Sequence, residues 1–161
     1  MHLVCRRGGV KDRWVVAGKG AEVANGQNFG VLTNSLGICW SAMKAWMPPG
    51  QYVAPSTCLE WMNHVTGWDM DLEEFLGCGE RIFNLQRMIN VRRGISRKDD
   101  TLPARFLTEK HPEGPNSGRV PPLGEMLAEY YSYRQWNPEG IPTQKKLNGL
   151  GLTETVQSAS A

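Results

Sequence analysis

A mainly α fold is predicted by three features of the chain. The stretch from Leu72 to Val91 carries one wide apolar stripe that returns mostly at three- and four-residue steps. Shorter segments, opened by proline and closed by glycine, repeat that signal on either side. Alternating strand patterns are scarce, and no repeat of roughly 20 to 50 residues suggests stacked units.

Residues 1–20 hold Gly8-Gly9, several basic side chains and no clear period, and are read as a weakly structured lead-in in which Trp14-Val15-Val16 is strand-like in composition only. From Ala21 to Met47 glycines punctuate the chain. Phe29, Val31 and Leu32 lead to Asn34-Ser35-Leu36-Gly37-Ile38-Cys39, followed by Trp40 and the helix-compatible Ala42 to Trp46. A glycine turn between two apolar runs predicts a loop entering a helix. Pro48-Pro49-Gly50 and Pro55 break any helix there, after which Ser56 or Thr57 caps a short one containing Leu59, Trp61, Met62 and Val65, closed by Gly67.

The main helix starts at an Asp69 or Asp71 cap, carries Leu72, Phe75, Leu76, Ile82, Phe83, Leu85, Met88, Ile89 and Val91 on its apolar stripe, and stops at Gly94. Gly77 and Gly79 lie inside it, each costing about 1 kcal/mol relative to Ala. A close helix crossing or a kink is the expected compensation. Pro103 opens a short helix through Phe106 and Leu107, and Lys110 to Pro122 is a proline- and glycine-rich surface loop. Leu123 to Tyr133 places Leu123, Leu127, Tyr130 and Tyr131 on one helical face; Pro142-Thr143 opens a last helix that Gly151 closes. The organisation is thus a lead-in (1–20), one helical domain (21–152) and a tail (153–161).

At 161 residues the chain is long enough for one buried core. Its 40% hydrophobic and 21% charged residues exclude a disordered or collagen-like protein. The net charge of +2, without a like-charge block, leaves no footprint for nucleic acid or membrane, so small molecules or proteins are the partners it predicts. No apolar run approaches the roughly 18 residues of a spanning helix, and Met1 to Arg7 lacks a signal's apolar centre; a cytoplasmic location is inferred.

Cys5, Cys39, Cys58 and Cys78 are too few and scattered for a disulfide scaffold. Cys39 sits at the end of the glycine turn between Ile38 and Trp40, an apolar, backbone-rich setting in which a thiolate can hold an iron–sulfur cluster. Spacing alone favours an inert buried thiol, because Cys39 follows Cys5 by 34 residues, precedes Cys58 by 19, and no CxxC pair exists. Asn34, Ser35, Leu36 and Gly37 offer turn amides and a side-chain amide suited to a polar heterocycle or a phosphate, or form a plain Asx turn. His2, His64 and His111 have no metal-site spacing, and His64 is read as structural. Arg92-Arg93, Arg97-Lys98 and Asp99-Asp100 are read as a salt-bridged helix end rather than an anion site. Serine-triad, P-loop and dinucleotide signatures are absent from the sequence.

Three runs are more specific: Val65-Thr66-Gly67-Trp68-Asp69, Gly79-Glu80-Arg81-Ile82-Phe83-Asn84-Leu85, and Asn90-Val91-Arg92-Arg93-Gly94-Ile95-Ser96-Arg97-Lys98-Asp99-Asp100-Thr101-Leu102-Pro103. With Pro122-Leu123-Gly124-Glu125-Met126-Leu127, Tyr130-Tyr131, Arg134, Trp136, Gly140-Ile141-Pro142-Thr143 and Leu150-Gly151-Leu152, they resemble the C-terminal region of aldehyde ferredoxin oxidoreductases over about residues 21–152.

The resemblance implies a role that spacing does not. In that family a pterin-binding turn of the form Asp-x-x-Gly-Leu-Cys ends in a cysteine ligand of a 4Fe-4S cluster, and Asn34-Ser35-Leu36-Gly37-Ile38-Cys39 is similar to it. Cys39 is then the metal ligand, and Asn34, Ser35, Gly37 and Ile38 border the pterin. Asn34 departs from the pattern, replacing a carboxylate with an amide that has one acceptor oxygen. Gln135 is a second departure, standing where the family more often has glycine between Arg and Trp.

The resemblance also implies a larger enzyme: an N-terminal β domain, another α domain with a CxxCxxxC cluster motif, and tungsten held by two pterin dithiolenes. The implied reaction takes an aldehyde and water to a carboxylic acid and passes electrons through the cluster to ferredoxin. The expected role is a fragment or split subunit partnered by the missing domains, inactive and without cofactors when isolated. The alternative is a non-catalytic helical interaction module that has lost the cofactors, with Cys39 a core thiol.

Overall fold

The structure, a computed structural model, describes residues 15–39, 41 and 53–153. Among these, six helices form and no strand does: α1 (Lys19–Ser35), α2 (Pro55–Thr66), α3 (Leu72–Arg92), α4 (Ala104–Thr108), α5 (Leu123–Arg134) and α6 (Gln144–Gly149). Isolated bridges pair His111 with Ser117 and Trp136 with Pro142. None of these helices is long and apolar enough to cross a membrane.

The fold is organised around α1, against which α3 and α5 both pack. The glycine-punctuated reading from Ala21 did not show this helix. Gly20, Gly26 and Gly30 each lower helix propensity by about 1 kcal/mol relative to Ala, so tertiary packing makes this helix. Two of its approaches need a missing side chain. A Cβ on Gly20 would lie 2.7 Å from the Tyr130 backbone nitrogen of α5. On α3, a Cβ on Gly79 would collide with the Asn28 carbonyl of α1 and sit 2.9 Å from Leu32. The crossing expected from the α3 glycines therefore occurs at Gly79, whereas Gly77 faces open space.

Local sequence sets the other boundaries. Pro55 occupies the first turn of α2, with Ala54 as its cap, in place of Ser56 or Thr57. Gly67 ends α2 at φ 74°, its N–H donating to the Asn63 carbonyl. The Asn63 side chain then donates to the Met70 carbonyl at 2.9 Å. Asp71 starts α3 with a capping box: its Oδ1 accepts from the Glu74 N–H, and Glu74 Oε2 accepts from the Asp71 N–H. Thr143 caps α6, which Lys146–Glu80 (2.6 Å) and Arg81 Nε to the Leu150 carbonyl (2.8 Å) tie onto α3. Val15 and Val16 form no strand, and the putting of Ala42 to Trp46 in a helix concerns positions outside the described residues, as do Cys5 and the tail beyond Thr153.

Two apolar cores result. Phe29, Leu32, Val53, Cys58 and Phe75 join α1, α2 and α3, with Ile38, Leu59, Met62 and Leu76 packed around them. Met88, Leu147, Leu150 and Leu152 seat α6 on the second half of α3. Between these lies an aromatic cluster in which Phe83 stacks on Trp136 with centroids 6.3 Å apart and Tyr130 meets Trp136 edge-on at 5.6 Å.

Candidate functional site

The Asn34–Cys39 segment closes a helix, α1, that the sequence did not show; Ser41 beyond it is helical, and positions 42–46 lie outside the described residues. Asn34 and Ser35 form the last turn of α1, Leu36 caps it, and Gly37 takes φ 70°, where a Cβ would be strained. The Ile38 N–H donates to the Thr33 carbonyl at 3.0 Å and the Gly37 N–H to the Asn34 carbonyl at 3.1 Å. This pair of bonds is a Schellman motif, and Ile38 completes it by packing into the α1–α2–α3 core beside Leu32.

Two consequences follow. The Leu36, Gly37 and Ile38 amides are spent on α1's own carbonyls, so they do not form the amide cradle for a heterocycle or phosphate that the sequence allowed, nor is the turn an Asx turn. The Ser35 hydroxyl donates back to the Val31 carbonyl at 2.8 Å. The turn also lies at the negative pole of the α1 dipole, which favours hydrogen-bond donors and positive charge and opposes anions. Asn34 and Cys39 are both exposed there.

The other cysteines differ from Cys39. Cys58 is a core residue whose thiol burial pushes up, keeping it protonated and inert. Cys78 is half-buried on α3, 3.8 Å from Arg81 Nη1. Among the described residues, no group of three or more His, Cys, Asp or Glu side chains could hold a metal. The donor set thus fits a partial site: one exposed thiol on a braced turn can supply a single cluster ligand, and the Asn34 amide can accept from a pterin's N–H groups. It does not fit a cluster held by this chain alone.

A second concavity, of about 680 Å³, lies toward the other end of α1, between Gly20, Val23 and Gln27 of α1, α3, α5 and residues 99–102. Its floor is an ion-pair network. Arg87 Nη1 and Nη2 donate to Asp100 Oδ1 and Oδ2 at 2.9 and 2.6 Å, and its Nε donates to the Gly140 carbonyl at 2.7 Å. The Tyr131 hydroxyl donates to Asp100 Oδ2. Burial opposes ionisation of Asp100, but the Arg87 and Tyr131 hydrogen bonds and the Arg87 charge outweigh it and hold the carboxyl below its usual range. Burial, then the bond to Asp100, pushes Tyr131 up to about 12. Asp100 is therefore paired with Arg87, while Arg97 reaches only its backbone carbonyl at 3.3 Å.

Beside this floor Arg134, fully buried, donates to Asn28 Oδ1 at 2.6 Å, Gln27 Oε1 at 2.9 Å and the Ala24 carbonyl at 3.0 Å, with its guanidinium 4.0 Å from the Phe83 ring centre. Burial lowers its pKa, opposed by Tyr130 and Glu80. No buried side-chain N or O among the described residues lacks a partner, so these groups hold the fold and leave no polar atom waiting for a ligand. His64, read as structural, is exposed near the end of α2. Sequence reasoning gave no structural role to Arg87, Arg134 or Asn84, whose Oδ1 accepts from Trp136 Nε1 at 2.8 Å, and set Tyr131 only on a helical face. Their signal was a polar residue on an otherwise apolar helical face.

Comparison with known proteins places these features in a family. The family model described as aldehyde ferredoxin oxidoreductase, domains 2 and 3, matches residues 6–152. The tungsten-containing aldehyde ferredoxin oxidoreductase of Pyrococcus horikoshii is 47% identical over 94 residues, 58% of this chain and 16% of that protein. That of Pyrococcus furiosus is 46% identical over 94 residues, again 58% and 16%. The aliphatic sulfonate oxidoreductase WOR-like subunit of Pyrococcus furiosus is 33% identical over 105 residues, 60% and 17%. This chain thus spans about a sixth of the length of these curated relatives. The fold is shared with the active-site complex BamBC of benzoyl coenzyme A reductase, solved with 1,5-dienoyl-CoA: TM-score 0.72 and 24% identity over 92% of this chain and 21% of that one.

Proposed function

This chain belongs to the aldehyde ferredoxin oxidoreductase family, and from that premise we propose that it serves as the C-terminal helical part of a tungstopterin, iron–sulfur oxidoreductase. In this reading Cys39 is one thiolate ligand of a 4Fe-4S cluster, and Asn34, Ser35, Gly37 and Ile38 border one pterin. The remaining cluster ligands and the tungsten site belong to polypeptide beyond this chain. When bound, those groups supply the oxidation of an aldehyde and water to a carboxylic acid, with electrons leaving through the cluster to ferredoxin.

The observation that carries the reading is the exposed Cys39 next to an Ile38 locked into the core. A ligand on a turn closed by two backbone hydrogen bonds and one apolar anchor keeps its position without a metal to hold it. Asn34 presents an amide where the family pattern has a carboxylate, so it still accepts one hydrogen bond from a pterin donor but adds no charge.

Iron and tungsten analysis tests the proposal. The isolated chain should bind neither in stoichiometric amount, and co-expression with a polypeptide carrying the CxxCxxxC motif should yield a brown complex with cluster absorption. Cys39→Ser should abolish that absorption or leave an incomplete cluster. An unchanged four-iron content in Cys39→Ser would remove the ligand role and favour the non-catalytic module.

A further inference from the structure

The apolar stripes of α2 and α3 do not end where this chain's core ends. On α2, Cys58, Leu59 and Met62 meet the core, and Val65 continues the Cys58 side of the helix two turns later, yet Val65 is 87% exposed. Trp68, just past the Gly67 turn, is 58% exposed. On α3, Leu72 stands one turn before the buried Phe75 on the same side and is 40% exposed, as is Trp61 of α2. Exposed apolar residues usually occur singly; four within twelve positions, at the junction of two helices, make a patch.

The charge around the patch has one sign. Between Val53 and Gly79 the sequence has five carboxylates, Glu60, Asp69, Asp71, Glu73 and Glu74, and no Lys or Arg, although the whole chain carries +2. A two-fold pairing of this face with itself would set carboxylates against carboxylates, so a second copy is a poor occupant. The complement is an apolar surface rimmed by Lys and Arg.

We propose that the Val65–Trp68–Leu72 patch is the docking surface for the remaining polypeptide of the enzyme, which meets it with aliphatic or aromatic side chains inside a basic rim. This rests on the reading that the chain works beside further polypeptide of its family, and its relatives, of which the matched stretch is 16%, supply such polypeptide. The patch adjoins the core that also anchors Ile38, so docking there and presentation of Cys39 share one rigid support.

The test is co-expression of the tagged full chain with the Pyrococcus furiosus tungsten-containing aldehyde ferredoxin oxidoreductase shortened by the stretch that this chain matches. The wild-type chain should retain it, less well at high salt, and the double variant Val65→Glu/Trp68→Glu should retain at least about tenfold less. Ile89→Glu, at an exposed position of α3 about 25 Å along the helix from Leu72, should retain as wild type does. The double variant alone should melt as the wild type does. Failure of the wild-type chain to retain the partner, or equal retention by the double variant, overturns the proposal. So does a lower melting temperature of the isolated double variant, which would mean that the chain covers its own patch. Sedimentation showing a wild-type oligomer that the double variant converts to monomer assigns the patch to a second copy and likewise overturns it. The cluster reading is judged separately: iron undiminished in a retained Cys39→Ser complex removes that reading and leaves the docking surface standing.

Discussion

Gly77→Ala and Gly79→Ala, two residues apart on one helix, should move stability in opposite directions. Both replace a mid-helix glycine, which by propensity alone favours alanine by about 1 kcal/mol. At Gly77 nothing lies within 4 Å of the added methyl, so the gain of about 0.5–1 kcal/mol should appear in full. At Gly79 the methyl would collide with the Asn28 carbonyl and stand 2.9 Å from Leu32 Cδ1 and Cγ, against about 3.5–4.0 Å for a comfortable carbon contact. Leu32 is buried and the Asn28 oxygen belongs to the α1 backbone, so relief requires the two helices to part. Overpacking of this kind costs about 1–3 kcal/mol, more when backbone must move. The two variants should then differ by about 3 kcal/mol. With a urea dependence of about 2 kcal/mol per molar, their unfolding midpoints, followed by far-UV circular dichroism, should lie about 1–2 M apart. A Gly79→Ala midpoint equal to or above that of Gly77→Ala would refute the α1–α3 approach, and with it the placement of the Cys39 turn.

Two further perturbations address the other end of the molecule. Gln135 ends α5 at φ 56°, ψ 41°, a left-handed conformation that costs a side-chain-bearing residue about 1 kcal/mol, while its carbonyl, which accepts from the Thr143 N–H, is backbone. Gln135→Gly should therefore raise the unfolding free energy by about 1 kcal/mol, and a loss measured by urea titration would show the side chain to matter. The Asp100 carboxyl titrates below its usual 3.8, so its contribution is full above that value and is lost as the pH falls through the lower, folded one. Tyr131 is raised to about 12, so its contribution is full below its ordinary 10 and is lost between 10 and about 12. The melting-temperature gap between wild type and Asp100→Asn should be constant across neutral pH and close only in strong acid. A gap that persists unchanged at about pH 2 would mean that Asp100 does not titrate as the Arg87 pairing requires.

How much of this was legible in the sequence depended on whether a residue acts locally. The cap at Asp71, one of the two that the sequence offered, the Gly67 stop and the apolar stripe of α3 are short-range devices, and the structure has each of them. The helix α1 was hidden by the same glycines that let it pack. Gly20 reads as a breaker until Tyr130 is seen against it, and the buried polar face of Asn28 and Thr33 breaks the apolar period of a helix covered on two sides. Missing the helix hid what the turn closes: Gly37 was correctly marked as a turn residue, and its left-handed φ ends α1. The Arg87–Asp100 and Arg134–Asn28 contacts span long sequence separations and follow no spacing rule. The site residues 34–39 were picked out by family resemblance, and only the structure separates the anchoring Ile38 from the exposed Cys39.

The placement of Asn34 connects these observations. The last turn of a helix is an unfavourable position for a carboxylate, because the macrodipole there is negative, at a cost of about 0.3–1 kcal/mol at low ionic strength. An Asp at this position is a local penalty that only a ligand offering hydrogen-bond donors would offset, and Asn34 relieves it while keeping one acceptor. Arg134 binds α1 through neutral amide and carbonyl oxygens, and Gly20 and Gly79 set its distance from α5 and α3 by contact alone. The helix axis is thus fixed by contacts remote from its exposed C-terminal turn, so a substitution at Asn34 leaves the scaffold in place. Under the proposed pterin role Asn34 is then a place where ligand affinity can change at little cost to the fold, whereas Ile38, whose side chain belongs to the core, cannot vary without moving Cys39.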